Sequence, residues 1–271
     1  MTKRVITSII VGFTALFAML AGGWWLAGVI FLIAWYASKE YTNILEHKGF
    51  LPSRKIILVA VVLFILLAVP NHIQIFPFAF TLSALMAFMW VLFRGKQPYI
   101  ANVATTLLGV VYCGWLPLHL LSVRNEGVIY CMFILFGVFA TDTFCYVFGC
   151  KYGKHKLAQV ISPNKTIEGA IGGTVMCLVF TAVIGIFFTE LPWYHILILG
   201  LLIAIFAQIG DLCESMIKRD AGVKDSSDLL PGHGGFLDRT DSYILTIPVV
   251  YYYVEYFINS NIILDLFRGL M

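Results

Sequence analysis

The chain has 271 residues, of which 60% are hydrophobic and only 12% charged. A soluble domain carries about 25% charged residues, so an ordinary water-soluble globule is excluded and the chain divides into membrane spans of about 20 residues each. Six cysteines lie mostly in apolar runs with no C-x-x-C pair, and they read as small buried side chains. The net charge of +3 matters through its distribution, and no nucleic-acid partner is expected.

Lys3 and Arg4 lead into an apolar run that continues to Ala37 without a polar cleavage region, which reads as an uncleaved first span. Apolar segments fall at 5–21, 23–37, 56–69, 75–93, 100–121, 128–149, 167–188, 194–213 and 243–258. The first two form one stretch too long for a single span, and Gly22-Gly23 is the natural break. The expectation is an all-α integral membrane protein, a polytopic helical bundle of about nine transmembrane helices. Its N-terminal part, 1–122, holds five spans. Residues 123–271 hold four, with loops at 150–166 and 214–242.

Every Lys and Arg except Arg124 and Arg268 falls in segments that nine spans place on the side of the N-terminus. The positive-inside rule makes that side cytoplasmic. Loops on the opposite face are short and nearly uncharged, so the chemistry belongs on the cytoplasmic side.

Asp142 lies within the sixth span, about 12 Å from its cytoplasmic end at 1.5 Å per residue. A carboxylate there costs about 2.5–3.5 kcal/mol even on lenient insertion scales. It is a candidate cavity acid, or the partner of a neighbouring lysine. The stretch KYGKHKLAQVISPNKTIEGAIGG, 151–173, follows. Ser162-Pro163 is expected to start a turn, with Lys165, Thr166 and Glu168 at the start of the seventh span. A hydroxyl, an ammonium and a helix N-terminus suit phosphates. Lys151, Lys154 and Lys156 read as a basic loop on anionic headgroups.

Charge then gathers in 210–242. If the eighth helix continues past the membrane, Asp211, Glu214, Ser215 and Lys218 share one face. Gly232, Gly234 and Gly235 around His233 allow close backbone approach and can offer N–H groups to an anion. Asp238 and Asp241 lie one helical turn apart where the last span starts, which also suits a simple helix cap. Clustered carboxylates repel one another without a cation, and oxygen-only ligands suit magnesium. Lys218, Arg219, Lys224 and Arg239 supply anion partners. Acids for a metal beside bases for phosphates point to phosphoryl or nucleotidyl transfer.

These residues resemble the phosphatidate cytidylyltransferase family, also called CDP-diacylglycerol synthases. The matching signature is Ser215, Lys218-Arg219, Lys224-Asp225, Pro231-Gly232-His233-Gly234-Gly235 and Asp238-Arg239-Thr240-Asp241, and SPNKTIEG is similar to a second family loop. The resemblance implies that CTP and phosphatidic acid react to CDP-diacylglycerol and pyrophosphate. It further implies magnesium, alone or with a monovalent cation beside it, and a homodimer in a bacterial cell membrane with the site facing the cytoplasm. Carried over by motif, Asp211 and Asp238 hold the metal, with Asp225 and Asp241 as second choices or partners of the basic residues. Lys218, Lys224 and Arg239 join them as catalytic groups. Ser162, Lys165, Thr166, Glu168, Ser215, Arg219 and the glycine turn bind substrate. His233 either bonds a phosphate or braces the turn. The rival readings are a cytidylyltransferase or kinase for isoprenoid-type lipids and, more distantly, a secondary transporter.

Overall fold

The computed structural model describes the backbone of residues 2–227 and 234–260 and the side chains from residue 12 onward, Ile73 excepted. Each of the nine expected apolar segments coincides with helix. The helices are α1 (Thr2–Ala21), α2 (Gly23–His47), α3 (Arg54–Ala68), α4 (Phe76–Arg94), α5 (Tyr99–Val110), α6 (Leu116–Glu126), α7 (Val128–Tyr152), α8 (Ile167–Phe188), α9 (Trp193–Asp220) and α10 (Leu237–Tyr253). The π-helical turn Val111–Trp115 joins α5 to α6, and a second, Val254–Asn259, extends α10. Among the described residues, five helices are long and apolar enough to cross a membrane: α4, the joined α5–α6, α7, α8 and α9. Phe88, Leu92 and Phe93 on α4 and Ile186, Phe187 and Phe188 on α8 point outward, as side chains solvated by lipid do. This is an all-α polytopic membrane protein.

The break expected at Gly22-Gly23 is present. Both residues take positive φ, 67° and 49°, a conformation that costs glycine nothing and an L side chain 1–2 kcal/mol or so.

The chain packs as two compact units. The first comprises 1–122 and 216–240, the second 123–215 and 241–271. Sequence order groups 216–240 with the C-terminal half, but in three dimensions it belongs to the first unit.

In the first unit, Tyr41, Ile44, Ile57 and Phe64 are fully buried. The Tyr41 hydroxyl donates to the Thr105 carbonyl at 2.8 Å. Two polar side chains of α5 hold the loop before α3. Asn102 Oδ1 accepts from Leu51 N at 2.7 Å, and Thr106 Oγ1 accepts from Ser53 N at 3.0 Å.

In the second unit, α7 and α8 are the most intimate pair. Gly169 and Gly173 of α8 face α7 so closely that a Cβ would lie 2.6 Å from the Cys145 carbonyl oxygen and 2.8 Å from that of Thr141. Small residues let membrane helices gain van der Waals contact where burial from water supplies no drive.

Between these helices stands an antiparallel hairpin, β1 (Lys156–Ala158) and β2 (Ser162–Thr166), with Lys156 opposite Thr166 and Ala158 opposite Ser162. It departs from the expected turn at Ser162-Pro163. The turn lies at 159–161, and Ser162-Pro163 opens β2. A two-stranded ribbon is all edge, where a proline lacking its N–H is tolerated.

Candidate active site

In the first unit, Lys218 on the last turns of α9 pairs with Asp238 on the first turn of α10. Nζ and Oδ1 are 2.6 Å apart, with side chains only 10% and 12% exposed. The other oxygen, Oδ2, accepts from Gly235 N at 2.7 Å, Ser226 Oγ at 2.6 Å and Ser226 N at 3.0 Å. Burial pushes the Asp238 carboxyl pKa up. The Lys218 ammonium and the Ser226 and Gly235 donors overcome that and hold it down at about 2. A carboxylate with so many donors stays ionised throughout the neutral range.

Gly234 takes φ 75°. Arg219 Nη1 donates to the Val223 carbonyl at 2.9 Å, which fastens the turn after α9. Lys224, Asp225 and Arg239 are exposed. Pro231, Gly232 and His233 of the glycine turn lie outside the described residues, as does Asp228.

The second unit holds the remaining candidates. Lys165, at the end of β2, pairs with Asp211 of α9, Nζ to Oδ2 at 2.6 Å. Ser215 Oγ donates to Asp211 Oδ1 at 3.4 Å, the i, i+4 relation expected of a continuous helix. Thr166 caps α8, its Oγ1 accepting from Gly169 N at 3.1 Å. Glu168, in the first turn of α8, accepts from the backbone N–H groups of Lys154 and His155 and lies 2.6 Å from the His155 ring. Its carboxylate thus shapes the loop that presents the hairpin.

Asp142 is exposed on α7, and its Oδ1 accepts from Ser242 Oγ of α10 at 3.2 Å. Asp241 is buried, and its side chain accepts from Ser242 N at 2.7 Å. Gly210 lets α10 approach, since a Cβ there would meet the Asp241 carbonyl at 2.5 Å.

One residue escaped the sequence reading. Glu40 of α2 is 4% exposed, and its carboxylate accepts from Leu237 N at 2.8 Å, Phe236 N at 3.1 Å and Ser227 Oγ at 2.6 Å. A signal for it exists. Ala37, Tyr41 and Ile44 form the buried stripe of α2, and Glu40 lies three residues from the first and four from the last, on the inward face.

The elements so far define a helical membrane protein that carries carboxylates matched to lysines, with a further exposed cation, Lys224, on the loop after α9. The model of the cytidylyltransferase family matches residues 2–257. A phosphatidate cytidylyltransferase of Synechocystis is 35% identical to the chain, covering 93% of it and 96% of the relative. One from Staphylococcus saprophyticus is 38% identical over 92% of the chain and 97% of the relative. One from Staphylococcus aureus is 36% identical with the same coverage. The chain belongs to the cytidylyltransferase family.

Proposed function

We propose that the protein transfers CMP from CTP to phosphatidic acid and acts as a phosphatidate cytidylyltransferase. The observation that carries this reading is the Lys218–Asp238 pair in its cage of donors, built from the residues of the signature and set in a chain similar to such enzymes over nearly its whole length. A lipid that stays in the bilayer and a nucleotide that stays in water can meet only at the interface, and the loops are polar there.

In the reaction, a phosphate oxygen of phosphatidic acid bonds to the α-phosphorus of CTP. The bond from that phosphorus to the oxygen bridging to the β-phosphate breaks, and pyrophosphate leaves. The nucleophile is already anionic, so the task is to bring two polyanions together. Lys224, Arg219 and Arg239 serve as phosphate partners. Lys165 and Lys218 each hold a carboxylate where a cation belongs.

Asp211 and Asp238 are the proposed carboxylates for magnesium. The donors are oxygen, and both acids are paired with a cation. Among the described residues no three His, Cys, Asp or Glu side chains are arranged to hold a metal. Magnesium commonly takes substrate phosphates and water alongside one or two carboxylates. When bound, magnesium would offset charge on the phosphates and the leaving group. The protein acts as a homodimer in a bacterial cell membrane, with its site toward the cytoplasm.

The test is an assay of the purified protein with phosphatidic acid, labelled CTP and magnesium, run beside a polyprenyl phosphate and a polyprenol. Labelled CDP-diacylglycerol formed only with phosphatidic acid supports the proposal. Turnover of the isoprenoid lipid alone would sink it. Excess chelator should abolish turnover and magnesium restore it, with calcium a poor substitute because it prefers more ligands and looser geometry.

A further inference from the structure

The buried carboxylate of Glu40 and the 12%-exposed carboxylate of Asp238 are fastened to the same short stretches of backbone. Asp238 Oδ2 takes its donors from Ser226 and Gly235. Glu40 takes its donors from the adjacent residues Ser227, Phe236 and Leu237. The Ser226 hydroxyl lies between them, 2.6 Å from Asp238 Oδ2 and 3.3 Å from Glu40 Oε2. It has one proton, and the shorter contact takes it.

Gly235 completes the arrangement. A methyl group there would lie 2.5 Å from the Glu40 carboxylate carbon, so the chain passes the acid with no space for a side chain. Tyr36, one turn before Glu40 on α2, stacks on Phe236 with ring centroids 4.9 Å apart.

A helix start leaves its first N–H groups without helical partners. Here two consecutive amides, of Phe236 and Leu237, are satisfied by an acid from a helix nearly 200 residues earlier in sequence. A carboxylate is the only common side chain that accepts at both oxygens and donates at neither. Its negative charge also suits the positive end of α10.

We propose that Glu40 is a positioning residue of the transferase. It fixes Ser226, Ser227 and the start of α10 so that the Asp238 carboxylate and the Lys218 ammonium keep their places. The first helices thereby do more than anchor the chain, because α2 supplies the brace for a candidate catalytic acid. The inference rests on the reading above, in which Asp238 serves CMP transfer.

The experiment compares wild type with Glu40→Gln, Glu40→Asp and Ser227→Ala in the full-length protein in nanodiscs. Gln keeps the shape but turns an –NH2 donor toward backbone donors. Asp keeps the charge but withdraws it by one methylene. Two readouts are taken on folded protein. One is kcat, KM for CTP and the magnesium concentration for half-maximal rate. The other is the rate of tryptic cleavage after Lys224 without any ligand.

Glu40→Gln should lower kcat roughly tenfold to a hundredfold, the range seen when a group orienting a metal ligand is removed. It should raise the magnesium requirement, leave KM for CTP within about twofold, and speed cleavage after Lys224. Glu40→Asp should recover part of kcat, and Ser227→Ala should lose less than Glu40→Gln.

Folded Glu40→Gln with wild-type kcat and magnesium requirement would overturn the proposal. So would a lower folded yield with normal turnover per folded molecule, which marks a purely structural cap. If neither Glu40 variant folds, Ser227→Ala decides, since unchanged kcat and unchanged cleavage there overturn it. Wild-type protein inactive on phosphatidic acid would instead defeat the reading of function, while the cleavage comparison would still test the brace.

Discussion

Replacing Lys218 by Met removes the ammonium from a pair whose side chains are 10% and 12% exposed, while keeping the length and most of the packing of the side chain. Asp238 titrates at about 2 against an ordinary 3.8, a difference of about 2 kcal/mol in favour of the ionised form. Breaking a buried pair from one side costs about 3–5 kcal/mol. Three donors remain on Asp238 Oδ2, which places the expected loss near the lower bound, about 3 kcal/mol. At 2–4 °C per kcal/mol for a chain of this order of size, the unfolding midpoint should fall by roughly 6–12 °C. Tryptophan fluorescence during a thermal scan, at one scan rate and in one detergent, gives the comparison.

The pH dependence has a definite sign. A carboxylate whose folded pKa lies below its unfolded value contributes stability that is complete above about pH 4 and lost as pH falls toward about 2. The gap between wild type and variant should therefore be widest near neutrality and narrow in acid. With Asp238→Asn added, a double-mutant cycle should give a coupling above about 0.5 kcal/mol. A midpoint change under about 2 °C at pH 7, or a gap that widens in acid, would refute the assignment of the pair.

Other outcomes follow from the same geometry. Gly173→Ala should destabilise by about 1–3 kcal/mol through overpacking against α7, whereas Gly28→Ala, with nothing within 4 Å, should be neutral, both read as thermal midpoints. Asp211→Asn and Asp238→Asn should each lower CTP turnover at least about tenfold. Asp228→Asn should stay near wild type in the same assay. Reporter fusions after residues 46, 125 and 271 should read inside, outside and outside, and an inside reading at 271 would contradict nine spans.

The helices were legible because their signal is local. Apolar runs of span length, the Gly22-Gly23 break and the i, i+4 relation of Asp211 and Ser215 are all visible within a few residues of chain. The motif residues were legible because their types and order form a long signature. What stayed hidden depends on distant partners. Lys165 reads as a phosphate ligand in sequence, and only the fold shows it beside Asp211. Thr166 and Glu168 read as substrate groups, yet their oxygens cap α8 and hold the 154–155 backbone. Glu40, inside the charged stretch SKEYTN, reads as one more polar residue where a span leaves the membrane. Its role depends on donors that lie 186 to 197 residues further on.

That separation bears on how the chain is made. Ribosomes add about 5–20 residues per second, so α2 is complete some 10–40 s before Phe236 and Leu237 exist. Throughout that interval Glu40 lacks its Phe236 and Leu237 donors. The brace can close only once the start of α10 has been made. A chain cut short before Phe236 would carry its early helices and leave this carboxylate without the two backbone donors that α10 brings.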